Sequence, residues 1–336
     1  MRIALDAMGS DTHPGPEVEA AVEATRLFGA GLFLIGHQPR LQKMLGSRAK
    51  GIEIVHAPDV FEMTDHISLS ALRRAQSSMG IGLDLVKAGK ADAFVTAGNT
   101  GGAMATALSR LGRLSGVLRP GLTVLFPVKG GRTVAIDIGA NAECKPEYLL
   151  QFGLLGSAYA EKVLGVSNPR VGLISNGEEA GKGSDLVRAA YPLLAASGLN
   201  FSGNIEGKEL FGGAVDVVVM DGFTGNVLMK GAEAVAKLIT DRLRDELTAS
   251  WRTKVGALLA RPAFKNLRKD LDPREVGAAT LLGVDGLVFV AHGRSDATAM
   301  LNAIKLARRS VEVGLLQSLR SAIQAGLSQR APQAAA

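Results

Sequence analysis

The chain has 336 residues, 47% of them apolar and 21% charged, and carries a net charge of +6. This composition excludes a disordered or collagen-like chain. An aromatic content of 4% argues against a nucleic-acid reader built on stacked bases, and a single cysteine, Cys144, excludes an internal disulfide and a multi-thiolate zinc site.

In chain order, short apolar runs predict strands at Arg2–Ala7, Leu32–Ile35, Ile52–His56, Ala93–Ala97, Thr123–Phe126, Val134–Ile138, Val171–Ser175, Phe201–Ile205, Val215–Met220 and Leu287–Ala291. Amphipathic stretches between them predict helices at Glu17–Phe28, Pro39–Arg48, Ile81–Ala88, Ala103–Leu114, Pro146–Leu164, Ser184–Ala196 and Gly225–Leu247, and a last one from Asp296 to Ala325 with Gly326 as its stop. Apolar strands separated by helices indicate a three-layer αβα fold with a doubly wound, mostly parallel sheet. The expected organisation is one α/β domain over residues 1–325, with a subdomain boundary admissible near 145 and a frayed tail over 326–336. The first strand carries Asp6 and does not read as a signal peptide, and no apolar run reaches membrane-spanning length. With the lone cysteine, this points to a reducing cytoplasm.

Residues 248–270 read as a basic helical excursion from the sheet, split by Pro262. The stretch Trp251–Asp270 carries +5 of the whole net charge. Val255, Leu258, Leu259, Phe264 and Leu267 form an apolar face edged by Arg261, Lys265 and Arg268. Such a segment suits an anionic membrane surface, an acidic carrier protein or a subunit interface.

Ligands in open α/β sheets bind beyond the carboxyl ends of strands. Five strand ends carry glycine with small polar residues: Asp6–Asp11, Gly98–Gly102, Asp137–Asn141, Ser175–Ser184 and Asp221–Asn226. Glycine-rich strand-to-helix turns expose backbone N–H groups that favour an anion, and Lys182 adds a charge suited to phosphate. Any one such turn also serves simple chain geometry. Five of them, taken to converge on one sheet edge, predict an anionic-ligand site. No strand is followed by G-x-G-x-x-G, and Gly177–Ser184 misses the P-loop spacing by one residue. The five histidines (His13, His37, His56, His66 and His292) lack ligand spacing, and there is no G-x-S-x-G elbow. Cys144 reads as a small buried hydrophobe before it reads as a nucleophile.

Together the runs AGNTG, DIGAN, NGEExxKG, DGFTGN and LLGVxGxxxxxHGxS, with Asp6–Asp11 and Asn204–Gly207, resemble the PlsX family of bacterial phosphate acyltransferases, in order from residue 1 to about 310. The chain departs from the family pattern at Ser10 and Thr12 and lacks a proline in Asp65–Ser68. The resemblance implies a fold similar to those of isocitrate and isopropylmalate dehydrogenases and of phosphotransacetylase. It implies transfer of a fatty acyl group from acyl carrier protein to inorganic phosphate, feeding phospholipid synthesis, by a cytoplasmic homodimer peripheral to the membrane. It also implies a glycerol-3-phosphate acyltransferase downstream; no cofactor or metal is expected, and the low aromatic content leaves no nucleic-acid partner expected.

Phosphate is already ionised at neutral pH, so the barrier lies in positioning and in stabilising an oxyanion. Lys182 and Asn226 are the expected catalytic residues. Asp6, Gly9, Gly98, Asn99, Thr100, Gly101, Asn141, Gly177 and Gly225 are the expected phosphate and substrate contacts. Two other readings stand beside this one: a metal- and NAD-dependent β-decarboxylating dehydrogenase, and a non-catalytic scaffold for carrier protein or lipid precursors.

Overall fold

A computed structural model describes residues 1–29, 31–61, 76–265 and 272–330. The stretch Asp65–Ser68 with His66, the residues Leu267 and Arg268, and the last six residues of the tail lie outside the described residues.

Among the described residues, eleven strands form one sheet: β1 (Arg2–Asp6), β2 (Gly31–Gly36), β3 (Ile52–His56), β4 (Ala93–Thr96), β5 (Gly121–Val128), β6 (Gly131–Ile136), β7 (Arg170–Ile174), β8 (Asn200–Ile205), β9 (Val217–Val219), β10 (Ala278–Leu282) and β11 (Val288–Ala291). Their order is β3-β2-β1-β4-β11-β10-β5-β6-β9-β7-β8. The helices are α1 (Gly15–Phe28), α2 (Gln38–Leu45), α3 (Ser78–Lys87), α4 (Thr100–Arg110), α5 (Pro146–Tyr159), α6 (Asp185–Ala195), α7 (Gly207–Gly212), α8 (Gly222–Thr248), α9 (Trp251–Leu259), α10 (Ala297–Glu312) and α11 (Leu315–Arg330).

Side chains alternate across each strand, so the sheet feeds two cores. Ile3, Leu5, Leu32 and Leu34 face a core shared with α1, α5, α6, α10 and α11. Ala4, Phe33, Ile35 and Phe94 face the other, shared with α3, α4, α7 and the start of α8. The three-layer αβα architecture expected from the sequence is therefore present.

Sheet direction departs from a simple doubly wound pattern. The pairs β11–β10, β10–β5 and β5–β6 are antiparallel, and the other pairs are parallel. Three reversals between β4 and β6 mean that β6, β9, β7 and β8 run opposite to β1, β2, β3, β4 and β11.

Two elements escaped the sequence reading. Strand β10 is five residues of small and apolar type between Gly277 and Gly283, and it owes its extended state to β5 and β11 on either side. Helix α7 has six residues, too few for a periodic signal. The last predicted helix is two, broken at Gly314 with φ +67. Gly326 does not stop α11. It lies where that helix packs against Leu154 of α5, and the helix runs on to Arg330.

Candidate active site

The loop after β7 carries Lys182. The lysine is exposed, and its stem lies across Gly177, which is buried. The Lys182 amide donates to the Glu179 carbonyl at 2.9 Å, closing a turn. Glu178 does not pair with Lys182; its carboxylate is held by Lys208 Nζ at 2.8 Å. That lysine keeps the Glu178 carboxyl below its ordinary value. Among the described residues, Lys182 itself forms no ion pair. Ser184 caps α6, accepting from the Val187 amide.

Opposite this loop stands the start of α8. Asp221 caps it, accepting from the Thr224 amide at 2.9 Å and the Thr224 hydroxyl at 2.7 Å. Gly222 donates to the Asn141 carbonyl at 2.8 Å. A methyl at Gly225 would overlap the Asp137 carbonyl, so only glycine lets α8 approach this closely. Asn226 follows immediately, with its side chain over Gly139, whose φ is +144. The Lys182 loop and the α8 start line one cavity of about 310 Å³, with Leu149, Leu173, Val187 and Met220 as apolar and Ser175, Asn176, Ser184, Asp221 and Thr224 as polar lining; Lys182 and Asn226 are not themselves among the lining residues.

Asp137 organises the loop beneath Asn226. Its fully buried carboxylate accepts from the amides of Leu122, Gly139, Ala140 and Asn141 and from Asn141 Nδ2, at 2.8–3.1 Å. Burial pushes this carboxyl above the ordinary aspartate value, and the donors pull the other way. Asn141 Nδ2 is further committed to the Pro120 carbonyl at 2.7 Å. Both Asn141 and the amides of this loop are thus spent on Asp137 and Pro120, which makes Asn141 part of the scaffold under the site. Cys144 is half-buried, its thiol directed at the Asn141 carbonyl, and burial pushes that thiol up to about 11.

The remaining predicted contacts form a second cluster. Asp6 is 1% exposed and accepts from the Met8 amide at 3.0 Å and the Thr96 hydroxyl at 2.7 Å. Gly9 packs on the Thr96–Gly98 turn, and the Gly98 amide donates to Thr96 Oγ1 at 3.0 Å. Asn99 caps α4 through the Gly102 amide at 2.9 Å, with Thr100 and Gly101 in the first turn. Glu17 is fully buried and accepts from the Ser10 amide at 3.1 Å. Burial, with the Asp6 charge adding to it, pushes the Glu17 carboxyl up, and burial does the same to Asp6.

The five glycine-bearing turns therefore do not converge on one sheet edge. Strands β1 and β4 run opposite to β6, β7 and β9, so Asp6–Asp11 and Gly98–Gly102 lie at one edge. Asp137–Asn141, Ser175–Ser184 and Asp221–Asn226 lie at the other. Apolar content shows that a segment is a strand but not which way it runs, and three antiparallel pairings at the sheet centre turned the second set around.

The basic excursion leaves the sheet as a helical hairpin. Helix α8 continues past the site with Val235, Leu238 and Ile239 each more than half exposed. Helix α9 follows after a Ser250 cap and shows Trp251, Val255, Leu258 and Leu259, the last 79% exposed. Residues 261–265 are helical again, with Arg261 and Lys265 exposed and Phe264 half-buried; the break falls at Ala260 and not at Pro262, which sits in the first turn of the new stretch. No helix of the described residues is long and apolar enough to cross a membrane, and no cluster of three or more His, Cys, Asp or Glu side chains among them is arranged to hold a metal ion.

Sequence reasoning missed Asp137 as a hub of five donors, and it missed Asn204 and Lys208 as anchors of the lysine loop. Of the donors to Asp137 only the Leu122 amide lies outside its own loop, and Asn204 and Lys208 are remote in the chain from Glu179 and Glu178, so no local pattern could show those pairings.

Comparison with known proteins adds the chemical class. A family model described as "Fatty acid synthesis protein" matches residues 1–318. A phosphate acyltransferase of Pelotomaculum thermopropionicum is 47% identical over 96% of this chain and 95% of its own length. One from Thermus thermophilus is 45% identical over 97% and 99%. Among solved structures, a phosphotransacetylase from Streptococcus pyogenes superposes with a TM-score of 0.61 at 17% identity, covering 93% of this chain and 94% of that one. A 4-hydroxythreonine-4-phosphate dehydrogenase from Salmonella typhimurium gives 0.51 at 16%, covering 92% and 98%. These two likenesses concern the fold.

Proposed function

The chain belongs to the phosphate acyltransferase family and is an acyltransferase, and from that premise we propose that it moves a fatty acyl group from acyl carrier protein to inorganic phosphate. The product is an acyl phosphate that a glycerol-3-phosphate acyltransferase would consume in phospholipid synthesis. The observation that carries the reading is that Asn176, Gly183 and Ser184, from the loop of Lys182, share one cavity with Asp221 and Thr224 at the start of α8, so the cavity lies between the segments that bear Lys182 and Asn226, although neither of those side chains lines it. Phosphate supplies its own charge and nucleophilic oxygen. Lys182, unpaired with any acid of its loop, attracts that anion and balances charge as it forms. The first-turn amides of α6 add partial positive charge at the same rim. Asn226 donates its side-chain amide to the carbonyl oxygen of the thioester as it becomes an oxyanion. The attacking phosphate oxygen bonds to the acyl carbon, the carbon–sulfur bond breaks, and the thiol leaves on the carrier.

Cys144 takes no part in this sequence. A half-buried thiol held near 11 offers little thiolate at neutral pH, which favours direct transfer over an acyl-enzyme. The Cys144→Ser variant is expected to keep full turnover. We further propose a homodimer that works at the inner membrane face, with the α8–α9 hairpin as the contact for lipid, carrier protein or the second subunit. The exposed apolar row and its basic edge support this reading.

The test is thiol release from an acyl carrier protein thioester, with and without inorganic phosphate. Phosphate-dependent release, with product trapped by hydroxylamine as the hydroxamate, is the expected result. No release by folded protein would remove the proposal.

A further inference from the structure

The segment Asn204–Gly207 belongs to the sequence pattern but has no task in the transfer just described. Asn204 stands in β8, the edge strand, opposite Leu173 of β7. It is 4% exposed, which is unusual for an amide side chain. Its Nδ2 crosses to the next loop and donates to the Glu179 carbonyl at 2.8 Å, 25 residues away in sequence. That carbonyl is the one that accepts from the Lys182 amide. A single oxygen therefore ties the turn of Lys182 to the rigid edge of the sheet. Asn204 Oδ1 is buried and accepts no hydrogen bond among the described residues. Burying an unpaired acceptor is costly, so the residue is not there for its net stabilisation. Two residues beyond β8, the chain enters α7, and Lys208 of that helix holds Glu178. The end of β8 and the start of α7 thus grip two consecutive residues of the lysine loop, one through its carbonyl and one through its carboxylate.

We propose that Asn204 is a positioning residue, which sets the backbone from which Lys182 reaches phosphate and acts on the reaction only through Lys182. The loop around Lys182 is otherwise exposed and irregular, and it needs such an anchor to present the ammonium reproducibly. This inference rests on the assignment of Lys182 above, and its test separates the two.

The experiment is a double-mutant cycle on full-length protein, measured with acyl carrier protein thioester and inorganic phosphate. Asn204→Ala is expected to lower kcat/KM for phosphate about tenfold, the scale of one lost hydrogen bond to a positioned loop. KM for the thioester should stay unchanged. In the Lys182→Ala background the same substitution should cost nothing further, because the group it positions is gone. A full, additive tenfold loss in that background would overturn the proposal while leaving Lys182 catalytic. An unimpaired Lys182→Ala enzyme would instead remove the assignment on which it rests. Asn204→Leu keeps much of the volume and removes the donor without adding a charge, and it carries the cycle should the alanine variant not fold. A defect that only lowered the folded fraction would show in circular dichroism and persist undiminished in the Lys182→Ala background, which would also overturn the proposal.

Discussion

Lys182 is an exposed lysine next to two glutamates in sequence, which by itself describes a solvated surface loop. The structure removes that reading at one of them, since Glu178 is bound by Lys208 at 2.8 Å and its charge is answered locally. Lys182→Ala and Asn226→Ala should each lower kcat by about a hundredfold to a thousandfold, the usual cost of one lost donor to an oxyanion. Steady-state thiol release checks this, with circular dichroism to confirm folding; near-normal turnover of both would disprove the assignment. At the opposite sheet edge, Glu17 makes a prediction about stability. Its carboxyl is held above the unfolded value by burial, so the folded state keeps a proton that the unfolded state has released. Stability therefore falls as pH rises from the unfolded glutamate value through the folded one. Glu17→Gln removes the charge, and should raise Tm at pH 8 and lose most of that gain by pH 4.5. Thermal melts at both pH values decide it; no gain at pH 8 would mean the carboxylate is accommodated after all.

Helix α8 is placed by its first turn. The Asp221 cap, the Gly222 amide on Asn141 and the bare face of Gly225 against Asp137 bring it down onto the loop after β6. Asn226 stands over Gly139 because the helix sits this low. Gly225→Ala would force the helix away from the Asp137 carbonyl, at a cost of about 1–3 kcal/mol, the scale of overpacking a filled interior. The same shift lifts Asn226, so kcat should fall by more than the stability loss alone accounts for. Chemical denaturation and thiol release, measured together, test the pair of effects. A destabilised variant with unchanged kcat would show that Asn226 does not act from this position.

At the scale of the whole molecule, the sheet has two chemically furnished edges, and the basic hairpin projects from the edge that carries Lys182. The hairpin begins in the helix that holds Asn226, so whatever binds its apolar row is tied directly to the site. Leu258 and Leu259 are the most exposed aliphatic side chains of α9, at 66% and 79%. Replacing both by glutamate puts two charges where an apolar face would enter an anionic bilayer. Flotation with anionic vesicles should recover the intact protein and not the double variant. Equal flotation of the two would reject the membrane contact and leave the subunit interface or carrier docking as the use of this surface.

Local sequence determined much of this protein. Alternation of apolar runs with amphipathic stretches placed ten strands near their observed positions, since burial on both faces demands those residues whatever the topology. The clustering of glycine with asparagine, aspartate and lysine fell at turns that follow strands, because close approach of backbones needs residues without bulk. Direction and company were decided by tertiary structure alone. The hydrophobic pattern of a strand is the same read in either direction, so nothing local announced that β6, β7 and β9 run opposite to β1 and β4. A short strand such as β10 has no state of its own until β5 and β11 flank it. The hold of Asn204 on Glu179 and of Lys208 on Glu178 joins residues distant in the chain, and such pairings exist only once the sheet has brought its edges together.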